Sequence, residues 1–314
     1  MSNAQLQGLI VPIVLPMRTD GQPALDELAA LCDRFFAAGV AGIWVNGSTG
    51  ELHDLSPPER AAVVEAVALA ADGRGVVIAH VGDTSTKLAC AQAEAAAVAG
   101  ATHVAAVAPY YASFAPAEIA SYYEAIAAAT DRPLLLYNLP QLVKVTLTHE
   151  TVLRLASRGA AVGLKDTAGD FSWYRGLLHR LRMEDLPFRC LMGVESLIDV
   201  SIVAGGDGAV CTLANLAPRT FVDLVEAAKA GDLALSRQHQ ADVVSLVQSL
   251  ALPGRAEWIG SIAALKWVMH ELGLLAAPTA AAPVAPLTIA EQQQLAAVAL
   301  PLAARLIREP VHER

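Results

Sequence analysis

The sequence predicts a closed (β/α)8 TIM barrel followed by a C-terminal three-helix extension, and three observations carry that reading. Short apolar runs rich in Val, Ile and Leu recur eight times, and each precedes a longer helix-like stretch. The runs are continuous rather than alternating, as strands covered on both faces of a parallel sheet require. An open doubly wound sheet would typically carry a GxGxxG turn after its first strand, and Leu15-Pro16-Met17-Arg18-Thr19 is not one.

In order, the expected strands are Leu9–Leu15, Gly42–Asn46, Val76–Val81, His103–Ala108, Pro133–Asn138, Ala161–Thr167, Phe188–Gly193 and Gly208–Thr212. Helices are expected near 24–38, 57–71, 84–99, 116–129, 148–157, 170–182, 195–204 and 218–229. Ser56-Pro57-Pro58-Glu59 sets a serine at the N-cap, proline at the first helical position and glutamate three residues beyond the cap, which is a capping box. Thr148 to Thr151 repeats a weaker version, and Gly39, Gly100 and Gly159 stand where helices should stop in a left-handed turn. Segments near 232–251, 255–273 and 289–308 read as further helices, the last two separated by a linker rich in Ala and Pro from Ala276 to Pro286. The expected division is therefore a barrel over 1–231 and an extension over 232–314.

A chain of 314 residues with 54% hydrophobic and 17% charged side chains excludes intrinsic disorder and allows a large core. A formal charge of −9 argues against a nucleic-acid footprint or a polybasic membrane-facing surface, so a small molecule is the expected partner. Cys32, Cys90, Cys190 and Cys211 are scattered without CxxC spacing, which reads as reduced thiols in the cytoplasm. The apolar stretch from Gly8 to Pro16 lacks a basic leader and holds two prolines, so no membrane span or signal segment is expected there.

Barrels of this kind carry chemistry at the C-terminal strand ends. Those ends hold Gly47, Ser48 and Thr49, then Tyr110 and Tyr111, Tyr137, Lys165 and Thr167, Gly193 and Glu195, and finally Val210 and Thr212. Gly205-Gly206-Asp207-Gly208 looks like a phosphate nest, but it precedes a strand and so falls on the stability face. Lys165 is the sharpest signal, standing in an apolar strand of a chain with five lysines. Desolvation favours the neutral amine, the form that attacks a carbonyl and makes a Schiff base, although pairing with Asp166 is an alternative role. Tyr137 is suited to moving protons at such a centre. Ser48 and Thr49, in a glycine-flanked turn, offer amides and hydroxyls to a carboxylate. His80 and His103 lie on opposite rims without ligand spacing, so metal and other cofactors are not expected.

With Asn46-Gly-Ser-Thr-Gly-Glu51, Pro109-Tyr-Tyr111, Tyr137-Asn-Leu-Pro140 and Gly163-Leu-Lys-Asp-Thr-Ala-Gly-Asp170 on strands two, four, five and six, the chain resembles the dihydrodipicolinate synthase / N-acetylneuraminate lyase superfamily. The resemblance implies a class I mechanism through a lysine Schiff base with pyruvate or another 2-oxo acid, no metal, and a homotetramer. It matches Lys165 to the Schiff-base lysine, Tyr137 and Ser48 to the proton relay, Thr49 to the carboxylate-binding turn, and Tyr111 to the relay tyrosine that a neighbouring subunit supplies. It also marks a departure. Where the lysine-biosynthetic synthase has an arginine that grips its semialdehyde substrate, this chain has Leu142, with Lys144 as a cruder counterion two residues on. Glu195, Gly193 and Thr212 suggest groups for substrate hydroxyls, and Lys165-Asp166-Thr167 resembles aldolases for 2-keto-3-deoxy sugar acids. The expected function is cleavage of such an acid to pyruvate and an aldehyde. Alternatives are an N-acetylneuraminate lyase-like, dihydrodipicolinate synthase-like or sugar-acid dehydratase activity, or a barrel that binds a 2-oxo acid without turnover.

Overall fold

A computed structural model describes residues 6–308; the outermost residues of the expected barrel and extension, 1–5 and 309–314, lie outside that range. Eight parallel strands, β1 (Gly8–Pro12), β2 (Gly42–Val45), β3 (Val76–His80), β4 (His103–Val107), β5 (Leu134–Asn138), β6 (Gly163–Asp166), β7 (Arg189–Met192) and β8 (Gly208–Val210), pair in sequence order. The sheet closes through β1 against β8, with Leu9 opposite Ala209. Seven strands are buried along their whole length, and β7 departs only at Arg189, which accounts for the unbroken apolar runs.

Around the strands lie α1 (Leu28–Ala37), α2 (Pro57–Ala71), α3 (Thr86–Val98), α4 (Pro116–Ala128), a single turn α5 (Pro140–Val143), α6 (His149–Ser157), α7 (Phe171–Met183), α8 (Ile198–Val203) and α9 (Pro218–Ala230). The three expected C-terminal helices follow as α10 (Leu233–Ser249), α11 (Glu257–Glu271) and α12 (Ile289–Arg308). Local chemistry sets the boundaries. The Glu59 carboxylate reaches back to the Ser56 amide at 2.8 Å to open α2, and the Thr148 hydroxyl accepts from Thr151 N at 3.1 Å to open α6. Gly39, Gly100 and Gly159 sit at positive φ, as expected of helix stops.

Strand bounds mostly fall within one or two residues of the sequence reading, and the short C-terminal ends of β1 and β8 share a cause. β1 was expected to run to Leu15 and β8 to Thr212, but both ladders stop early because the Asn215 side chain replaces them. Its Oδ1 accepts from Val14 N at 3.1 Å, while its Nδ2 donates to Pro12 O and Thr212 O at 2.8 Å. The helix expected over 195–204 likewise splits into a 3-10 turn at Glu195–Leu197 and α8.

The Gly205–Gly208 segment lies at the N-terminal rim and works as a clasp. The Asp207 carboxylate accepts from Arg189 and from Cys190 N at 2.8 Å, and its carbonyl accepts from Gly8 N at 3.0 Å. Asp207→Ala should therefore lower stability by about 1–3 kcal/mol, the usual cost of orphaning a buried donor, and leave turnover per folded molecule unchanged. Chemical denaturation beside activity normalised to folded protein checks this.

Candidate active site

Strand register fixes what faces the barrel mouth. Tyr137 pairs with Lys165 across β5 and β6, and the next pair is Asn138 with Asp166. Residues paired in register share a face and successive pairs alternate, so Lys165 and Tyr137 turn into the barrel together. Lys165 Nζ donates to Tyr137 Oη at 3.1 Å. The amine also lies 4.2 Å from the Tyr137 ring centroid and 5.1 Å from that of Trp44. Trp44 and His80 each meet Tyr137 edge-on, at 5.4 and 6.1 Å. Lys165 is only 5% exposed, so aromatic surfaces screen its amine from bulk water.

Asp166 does not pair with Lys165. It points the other way and accepts from Asn138 Nδ2 at 2.7 Å, while Asn138 Oδ1 accepts from Leu147 N at 3.1 Å. Burial pushes the Asp166 carboxyl up to about 6. Among the described residues, the Lys165 amine has no carboxylate within salt-bridge distance. Burial, with Arg60 and Lys165 adding to it, pulls the His80 imidazole down to about 3, so it is neutral at physiological pH. Its Nε2 accepts from Val107 N at 3.4 Å, but its Nδ1 has no partner among the described residues, which makes it only half satisfied.

The 46–51 turn is strained at both ends. Asn46 and Glu51 each adopt a left-handed backbone at φ 53°, a cost of roughly 1–3 kcal/mol apiece for residues other than glycine. Asn46 is anchored by donation from Nδ2 to Arg60 O at 2.9 Å. At Gly47 a Cβ would meet the Trp44 indole at 2.9 Å, so the close approach of turn and ring requires glycine. Gly50 and Glu51 donate back to Gly47 O and Ser48 O at 3.1 and 3.0 Å, whereas the amides of Ser48 and Thr49 reach no acceptor among the described residues. Thr49 Oγ1 lies 2.9 Å from Thr212 Oγ1. Ser48 is half-buried and its hydroxyl is unpartnered among the described residues. Two free amides beside two hydroxyls make a cradle for an anionic group.

Opposite this turn, Glu195 Oε1 accepts from Leu213 N at 2.7 Å. Burial pushes its carboxyl up to about 7, against the lowering effect of the Leu213 amide and Lys165. The Thr167 hydroxyl is buried and unpartnered among the described residues. Gly193 leaves room beside it, since a Cβ there would come to 3.0 Å from Lys165 Cε and closer still to Thr167 Oγ1. Val210 ends β8 as a buried apolar wall.

Two expected groups stand apart from this cluster. Tyr111 is fully exposed at φ 94°, and the chain does not bring it to Tyr137. Lys144 is exposed and donates to Gln141 O at 2.8 Å, so it caps α5 rather than serving as a counterion. Leu142 sits on α5 at 44% exposure. Sequence reasoning missed Trp44, which lies under the amine, and the contact of His80 with Tyr137. Inward alternation from Ile43 to Val45 is the signal that would have found the tryptophan. Among the described residues, no group of three or more His, Cys, Asp or Glu is spaced to hold a metal ion, and no helix is long and apolar enough to cross a membrane.

Fold and site together define a barrel enzyme of lyase type. The chain belongs to the Dihydrodipicolinate synthetase family, which it matches over residues 5–300. It is 34% identical over 283 residues to a 4-hydroxy-tetrahydrodipicolinate synthase of Neisseria meningitidis serogroup B, covering 90% of this chain and 94% of that one. A 4-hydroxy-tetrahydrodipicolinate synthase of Anaeromyxobacter sp. strain Fw109-5 is 36% identical over 242 residues, 77% of this chain and 81% of the relative. Among solved structures, a prophage protein of the dihydrodipicolinic acid synthase family from E. coli K12, in complex with pyruvate, superposes with a TM-score of 0.87 at 28% identity, covering 96% of this chain and 98% of that one. A chloride-inhibited dihydrodipicolinate synthase of Acinetobacter baumannii, complexed with pyruvate, gives 0.86 at 30% identity over 95% and 99% of the two chains.

The raised Glu195 carboxyl has a thermodynamic consequence. A carboxyl group whose value lies higher in the folded than in the unfolded protein binds its proton more tightly when folded, so its contribution is greatest below its ordinary 4.5 and is lost as pH rises through about 7. Folding stability of Glu195→Gln should therefore decline less than that of the unaltered protein between those two pH values. Denaturant titrations across the range measure the difference.

Proposed function

We propose that the protein is a class I aldolase that binds a 2-keto-3-deoxy sugar acid as a Schiff base on Lys165 and cleaves it to pyruvate and an aldehyde. The observation carrying this reading is the 3.1 Å hydrogen bond between the Lys165 amine and the Tyr137 phenol, with no carboxylate within salt-bridge distance of that amine among the described residues. The unprotonated amine adds to the C2 carbonyl, and Tyr137 passes a proton to the departing water. The protonated imine then draws electrons from the C3–C4 bond as the C4 hydroxyl loses its proton, releasing an aldehyde and leaving an enamine. Protonation at C3 and hydrolysis return pyruvate and the free amine. The Ser48 and Thr49 amides hold the C1 carboxylate. Thr167, Thr212 and the Glu195 carboxyl receive the substrate hydroxyls. Tyr111, fully exposed in one chain, completes the relay of a neighbouring copy in a homotetramer. The four cysteines are unpaired, which suits a reducing compartment such as the cytoplasm.

A second reading, condensation of pyruvate with aspartate semialdehyde, is favoured by the likeness to the 4-hydroxy-tetrahydrodipicolinate synthases of Neisseria and Anaeromyxobacter. The position at which the resemblance expects a carboxylate-gripping arginine is Leu142, an apolar side chain that offers a semialdehyde carboxylate nothing to pair with.

Incubation with pyruvate and borohydride should reduce a stable adduct onto Lys165, located by peptide mapping, and no adduct should form on Lys165→Ala. Tyr137→Phe should slow adduct formation by about 10²–10⁴, the range of a lost general acid–base group. Failure of the unaltered protein to label at Lys165 ends the reading.

A panel of deoxy and aldaric sugar acids, scored for pyruvate release, separates cleavage from dehydration. Leu142→Arg should leave sugar-acid cleavage standing and raise turnover of pyruvate with aspartate semialdehyde by tenfold or more. Efficient semialdehyde turnover by the unaltered protein would favour the second reading instead.

A further inference from the structure

The substrate-facing turn is tied to the C-terminal helices by a buried ion pair that no step of the reaction uses. Glu51 closes the 46–51 turn in its left-handed conformation, and Lys266 projects from α11. Both side chains are 0% exposed. Lys266 Nζ donates to Glu51 Oε2 and to Thr279 O, the latter at 2.9 Å, while Glu51 Oε1 accepts from Ala281 N at 2.7 Å. One carboxylate thus takes donors from α11 and from the strap between α11 and α12, at one of the two left-handed ends of the turn. Placing a carboxylate and an ammonium in such a site is costly unless each is fully paired, and here each finds a backbone partner besides the other. Strain at a functional turn persists only when its surroundings over-determine it.

We infer that Lys266 is a positioning residue for the substrate carboxylate, acting through Glu51 to hold the 46–51 turn in the conformation that leaves the Ser48 and Thr49 amides free. The inference rests on the reading of that turn as the seat of the 2-oxo acid carboxylate. Lys266 does not touch the reacting atoms. Its effect falls on the concentration of 2-oxo acid needed to load Lys165, and not on the chemistry of the imine once formed.

The test compares the full-length protein with a Glu51→Gln/Lys266→Met double variant, in which neither charge is left buried alone. A control, Arg255→Met, cuts the clamp from Arg255 to Ala285 O, Pro286 O and Glu291 elsewhere in the same helical region. Each protein is titrated with pyruvate and trapped with borohydride, the modified fraction of Lys165 is read by mass spectrometry, and melting temperatures are recorded. In the double variant the pyruvate concentration for half-maximal trapping should rise tenfold or more, with full trapping restored at saturation. Arg255→Met should lower the melting temperature and leave half-saturation where it was. An unmoved half-saturation in the double variant, or an equal rise in Arg255→Met, overturns the inference.

Should the double variant not fold, the unaltered protein decides. A brace that holds the turn in its binding form must itself be stabilised by the ligand, because coupling is reciprocal. Pyruvate should then slow amide hydrogen exchange at residues 279–281 as well as at 48–51, and protection confined to 48–51 overturns the inference. Absence of any Lys165 adduct in the unaltered protein defeats the aldolase reading itself, whereas normal labelling with no change in the double variant defeats the brace alone.

Discussion

The pairing of Tyr137 with Lys165 in the parallel register of β5 and β6 is the constraint from which the site follows. Register in a buried sheet is strict, because a slip of one residue exchanges the two faces of a strand. Slipping β6 by one would put Asp166 into the mouth and Lys165 among the helices. Closure through β1 and β8 leaves no free edge along which such a slip could begin. The alternation also separates two polar systems. Asn138 and one oxygen of Asp166 are hydrogen-bonded behind the strands, and Lys165 and Tyr137 are left facing the mouth with no carboxylate within salt-bridge distance of the amine among the described residues.

Removing an ammonium from water costs about several kcal/mol even after relaxation. At Lys165 that cost is offset by a phenol and two aromatic faces, each cation–ring contact contributing about 0.5–2 kcal/mol. These partners tolerate a neutral amine as well as a charged one, since a phenol can donate or accept and a ring face requires no charge. A carboxylate partner would have fixed the proton on nitrogen.

Much of this was legible in the sequence because it depends on local pattern. Continuous apolar runs gave the strands, Ser56 to Glu59 and Thr148 gave helix starts, and Lys165 stood out as a lone cation in an apolar strand. What escaped depends on long-range geometry. The end of β1 is set by Asn215, 201 residues distant from Val14. Glu51 meets Lys266 across 215 residues. Periodicity carries neither of these, because each is a long-range contact that no local repeat encodes.

The two buried lysines show where the sequence signal ended. Lys266 stands in Ser261-Ile-Ala-Ala-Leu-Lys266-Trp-Val-Met269, an apolar helix segment, much as Lys165 stands in an apolar strand. By composition alone the two are equally conspicuous. Their partners divide them. Lys266 is matched by a carboxylate and a carbonyl, an arrangement that consumes its donors and makes it inert to an electrophile. Lys165 has one phenol and faces the open end of the barrel. Reactivity in a buried lysine thus follows from the pairing it lacks as much as from its burial. A sequence reading that ranks lysines by apolar surroundings selects both, and only the register of β6 and the reach of Glu51 tell the two apart.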